Sequence, residues 1–154
     1  MVNSRFNIES SQINSNSELR AFEVNGRKSP GAPIDSVRMI YVGEIGTGSA
    51  KRVLETNESQ AYKISLRASP PSADFYVEIT QGNKLKAYRS TKLEDEHGAE
   101  IDGYSTICQV FSGGGYVEPF FLPPSCQMWI RSVNKIFEAM IVCTPCYCEG
   151  LEEV

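Results

Sequence analysis

Residues 74–79 read Asp-Phe-Tyr-Val-Glu-Ile. Phe75, Val77 and Ile79 alternate with Asp74, Tyr76 and Glu78. Successive side chains of a strand point to opposite faces, so this stretch is a strand with one face on a core. Gly82-Asn83 follows and reads as a hairpin turn into a second strand over residues 85–88. The same two-residue period recurs on both sides of this stretch. Val37, Met39 and Tyr41 share one side of a strand, and so do Tyr62, Ile64 and Leu66. Residues 107–111 form another, and Met128 and Ile130 alternate with Trp129 and Arg131. Residues 136–144 are almost wholly apolar, which suits a strand buried on both faces or lying at a subunit contact.

Turn chemistry separates these runs. Asn25-Gly26, the loop Ser29-Pro30-Gly31-Ala32-Pro33, Gly113-Gly114-Gly115 and Asn134 all punctuate the pattern. Residues 43–49, Gly-Glu-Ile-Gly-Thr-Gly-Ser, follow a strand but lack the Gly-Lys-Ser/Thr ending of a phosphate loop. They read as a flexible connection. No window holds apolar residues at i, i+3, i+4 and i+7, so helices are not expected. Short strands at roughly ten-residue spacing define an all-β fold, a single antiparallel β-sandwich over residues 19–154. Eight or so strands in this length suit a jelly roll.

Residues 1–18 differ from the rest. They are rich in Asn and Ser, with few large apolar groups, and read as an extended arm. Phe6 and Ile8 stand two apart, so a short extended segment could bury both against a sheet edge or a neighbouring subunit. The arm up to Arg20 carries Arg5 and Arg20 against Glu9 and Glu18, so it is not a phosphate-binding arm. The whole chain has a formal net charge of −4, which argues against nucleic-acid packaging. No apolar run is long enough for a membrane span, and the amino terminus lacks the apolar stretch of a signal peptide. Synthesis in the cytoplasm and reduced thiols are therefore expected, with no nucleic acid and no membrane as partner.

Three groups could carry chemistry. His97, the single histidine, lies in a run of carboxylates from Glu94 to Asp102. That run lacks the ligand spacing of a calcium loop and reads as a solvated acidic loop. Cys143, Cys146 and Cys148 form the densest thiol cluster. The spacing of the first two occurs in zinc knuckles, but the second pair that makes such a signature strong is missing. Small buried thiols ending the last strand are the simpler expectation, so no cofactor or metal is expected. Residues 116–124, Tyr-Val-Glu-Pro-Phe-Phe-Leu-Pro-Pro, gather aromatics and prolines in what reads as a loop. Tyr116, Phe120 and Phe121, with Trp129 nearby, could stack on sugars, anchor a protein interface, or close one end of the sandwich.

A recognisable nucleophile, a second histidine and a cofactor loop are all missing, so an enzyme is the least expected outcome. The expectation is a non-enzymatic structural protein that contacts copies of itself in a larger assembly. A coat, decoration or cement component of a virus or phage particle fits best. A carbohydrate-binding module and a small metal- or thiol-binding protein are the alternatives.

Overall fold

The computed structural model describes residues 19–22, 24, 32–34, 37–82 and 92–146. The expected arm, with Phe6 and Ile8, lies outside the described residues, as does Cys148. The described residues form eleven strands: β1 (Leu19–Ala21), β2 (Ala32–Ile34), β3 (Val37–Ile45), β4 (Ala50–Thr56), β5 (Ala61–Ser69), β6 (Phe75–Gly82), β7 (Leu93–Glu94), β8 (Tyr104–Phe111), β9 (Tyr116–Leu122), β10 (Gln127–Ser132) and β11 (Phe137–Cys146).

Two sheets result. Sheet I has the order β1-β4-β10-β6-β8, with β7 pairing β4 in parallel, and sheet II has the order β2-β3-β11-β5-β9. The connections β3–β4, β4–β5, β5–β6, β8–β9, β9–β10 and β10–β11 all pass from one sheet to the other. By contrast β6, β7 and β8 all lie in sheet I, and β2 and β3 both lie in sheet II. The four-strand cores β4-β10-β6-β8 and β3-β11-β5-β9 therefore have the strand order of a jelly roll. Among the described residues there is no helix, and so none long and apolar enough to cross a membrane.

Alternation explains the core. On β6, Phe75, Val77 and Ile79 point inward, as the sequence indicates. On β5, Tyr62, Ile64, Leu66 and Ala68 do so, while Lys63, Arg67 and Ser69 are exposed. Phe137, Ala139, Ile141 and Cys143 of β11 turn inward beside them in the middle of sheet II, where β3 and β5 flank the strand. Phe75 and Phe137 stack across the core at 4.8 Å between centroids. Each such side chain contributes about 1.5–3 kcal/mol by leaving water. Gly115, at φ +76°, brings the β8–β9 connection against Pro71. A Cβ there would sit 2.5 Å from the Pro71 carbonyl oxygen, so only glycine fits this approach.

One local reading lies outside the described residues, one changes, and one gains a direction. The hairpin expected after Gly82 has its far strand outside the described residues. Along β6 itself the neighbours are β10 and β8, which flank it on its two sides. Residues 116–122 are not a loop but β9, the edge of sheet II beside β5. Ile64 pairs Phe120 and Leu66 pairs Val117, so Glu118 and Pro119 together oppose Ser65. This bulge accommodates a residue without an N–H, on a strand that has no outer partner among the described residues. Finally, Met39 and Tyr41 do share a face, but it is the outer one. Ile40, Val42 and Ile45 fill the core instead.

Candidate functional site

The outer face of sheet II is built from cross-strand rows. Tyr41 pairs Met140, Met140 pairs Arg67, and Arg67 pairs Tyr116, giving one row across four strands. Beside it run Met39, Val142 and Ser65. Thr144, Lys63 and Phe121 form a third row. Met39, Tyr41, Tyr116, Met140 and Val142 are each half-buried, and Phe121 is 46% exposed. The Arg67 guanidinium lies 5.5 Å from the Tyr116 ring centroid. A shallow depression of about 290 Å³ opens between Arg67, Tyr116, Met140 and Val142. Tyr41 donates its hydroxyl proton to Glu138 at 2.6 Å, fixing a carboxylate at one end of the face. Lys63 and Arg67 place positive charge on β5. The face is thus an apolar patch that also carries acid and base on different strands.

The outer face of sheet I is covered around Trp129. Trp129 points away from the main core, opposite Met128 and Ile130, yet it is 0% exposed. It packs with Ala50 and Leu93 in a second small cluster, against which Ile101 and Tyr104 also lie. The Tyr104 ring meets it edge-on at 5.6 Å. The segment from β7 to the start of β8 therefore closes over this face. Trp129 Nε1 donates to Thr80 Oγ1 at 2.7 Å, Thr80 Oγ1 donates to Gln127 Oε1 at 3.0 Å, and Gln127 Nε2 donates to Glu55 at 3.1 Å. Thr106 donates to Glu78, whose side chain is also enclosed. Buried polar groups need such partners to avoid their desolvation cost. The network is structural, and Trp129 does not join Tyr116 and Phe121 in any exposed aromatic platform.

The acidic run fastens this cover to the sheet. Glu94 pairs with Lys51, and Glu96 accepts from the Arg52 guanidinium at 2.7 Å. Arg52 also stacks on Phe22 at 4.2 Å. The Lys51 hydrogen bond holds the Glu94 carboxyl below its ordinary range. Burial opposes ionisation of Glu96, but Arg52 and a backbone N–H outweigh it and keep that carboxyl low as well. Asp95 accepts the backbone N–H groups of Ala99 and His97, which likewise lowers it. The loop is therefore not simply solvated. His97 is exposed at its tip and takes no part in the pairing with β4.

The remaining residues singled out in the sequence fall in different places. Phe120 packs against the main core, beside the exposed Phe121. Cys143 and Cys126 are enclosed, and burial pushes both thiols up. The strand β11 remains extended through Cys146, so the three-residue spacing turns Cys143 and Cys146 to opposite faces. They do not form a knuckle. Among the described residues the pairing of β3 with β11 ends at Cys143, and Pro145 follows where β5 is the one flanking strand. Among the described residues no group of three or more His, Cys, Asp and Glu side chains could hold a metal ion. The glycine-rich stretch is the β3–β4 turn. It borders an open cleft of about 340 Å³ where Lys51 already engages Glu94.

No family model, no curated protein and no solved structure shows a significant match to the chain.

Proposed function

We propose that this is a non-enzymatic assembly protein whose copies associate through the outer face of sheet II. The observation that carries the reading is the row Tyr41–Met140–Arg67–Tyr116 with its neighbours Met39, Val142 and Phe121. Half-exposed apolar side chains on a flat sheet lose water when a second surface covers them, at about 25 cal/mol for each Å² of apolar area buried. The larger object we assign is a virus or phage particle, with this chain as coat, decoration or cement subunit. That assignment rests on the jelly-roll order, which recurs in capsid proteins and also in lectins and cupins, and so is a fold-level analogy. The arm, with Phe6 and Ile8, is assigned to further contacts between copies.

The side-chain chemistry favours this reading over catalysis. The single histidine lies at a surface turn, and the thiols at Cys126 and Cys143 are enclosed and held protonated by burial. A sugar-binding platform would have Tyr116 and Phe121 as its accessible rings, without Trp129. The test is the mass of the full chain in solution by light scattering. Oligomers are expected, and the single substitution Met140→Glu should reduce their mass. A strict monomer at high micromolar concentration would overturn the proposal.

A further inference from the structure

Two edge strands meet at the Gly113–Gly115 turn, and they are protected very differently. β9 carries Glu118, Pro119 and a bulge, the usual devices that blunt an edge. β8 reads Tyr-Ser-Thr-Ile-Cys-Gln-Val-Phe, with no charge, no proline and no glycine. Among the described residues it pairs only with β6. Ile107 is 49% exposed and Phe111 is 66% exposed, and Cys108 and Gln109 between them are exposed too. A bulge at Ile107 interrupts the pairing with Ile79 and Thr80, but Cys108, Gln109, Val110 and Phe111 then run in regular register with Ile79, Glu78, Val77 and Tyr76. The exposed half of this edge is therefore in regular register and uncharged, with large apolar side chains on either side of Gln109.

We infer that β8 is a second contact between copies, pairing antiparallel with β8 of another copy across a two-fold axis, so that two copies of sheet I become continuous. Self-pairing suits a strand without charge, because no like charges meet across the axis. A two-fold at Gln109 sets Ile107 of each copy against Phe111 of the other. Both large exposed apolar side chains are then covered in one register, and the two Gln109 amides face each other at the centre. The contact differs from the outer face of sheet II, which lies on the other sheet. It deepens the assembly reading and rests on it, since two independent contacts on one copy let association extend beyond a dimer.

The full chain is compared as wild type, Gln109→Lys, Met140→Glu and the double variant. Circular dichroism checks the fold, which an exposed Gln109 substitution should leave intact. The expected result is that Met140→Glu still dimerises and that adding Gln109→Lys gives a monomer. A Gln109→Cys, Cys108→Ser protein should form a covalent dimer under mild oxidation, in wild-type and Met140→Glu backgrounds alike. If Gln109→Lys leaves the mass unchanged in both backgrounds and no cross-link forms, the β8 contact is wrong while assembly through sheet II stands. If the cross-link appears only after residues 1–18 are removed, the chain's own arm occupies this edge and the proposal falls.

Discussion

The two outer faces of the sandwich solve the same problem in opposite ways. Each sheet must do something with the side chains that alternation turns away from the core. Sheet I places Trp129 there and covers it with Leu93, Ile101 and Tyr104 from its own chain. The polar groups of that face are joined in a hydrogen-bonded line from Trp129 through Thr80 and Gln127 to Glu55. Sheet II places Met39, Tyr41, Met140, Val142 and Tyr116 there and leaves them half-exposed. The first face supports the stability of the monomer. The second is left open within one chain, and in the assembly proposed above another copy covers it.

The contrast can be broken most severely at Trp129. Trp129→Ala should cost about 3–5 kcal/mol, read from the urea unfolding midpoint, because it empties a fully enclosed site. A loss below about 1 kcal/mol would mean that the cover over sheet I is loose. Next comes Thr80→Val, which removes the acceptor of the Trp129 indole and the donor to Gln127. Leaving those buried groups unpaired should cost about 1–3 kcal/mol by the same measurement.

Acid probes the fastening of the cover. Glu94 and Glu96 are held below their ordinary values in the folded state, so their contribution is fully present above the unfolded value near about 4.3. It is lost as pH falls further, through the lowered folded values. Trp129 is the single tryptophan, so its emission should stay unchanged down to about pH 4.5 and shift to the red only below it. Replacing Lys51 with Met should shrink this acid effect, with a stability loss under about 1 kcal/mol for a half-exposed pair. A red shift at neutral pH would show that the pairs do not hold the segment. The smallest change in monomer stability is expected on sheet II, where Met140→Glu should stay within about 0.5 kcal/mol.

Much of the fold is legible in alternation. Phe75, Val77 and Ile79, and likewise Tyr62, Ile64 and Leu66, announce their strands because the inward face is apolar and the outward face largely is not. β9 was hidden by Pro119 and by the prolines at 123 and 124, since a bulge that makes room for proline is a property of the pairing and not of the segment. The cover over Trp129 was hidden for a related reason. Its own strand shows that it faces away from Met128 and Ile130, but Leu93 and Tyr104 reach it from another part of the chain. The acidic run was readable as a loop, whereas its pairing with Lys51 and Arg52 depends on the parallel addition of β7 to β4. The apolar outer face of sheet II was half-readable in the continuous apolar run at residues 136–144, which suits a subunit contact.

In the proposed assembly another copy covers the outer face of sheet II. The most direct measurement is the solution mass of wild type and Met140→Glu across a hundredfold range of concentration. The account predicts a concentration-dependent oligomer whose association is weakened at least tenfold by Met140→Glu, with unfolding midpoints that coincide under conditions where both are monomeric. Equal masses for the two proteins at every concentration would contradict it.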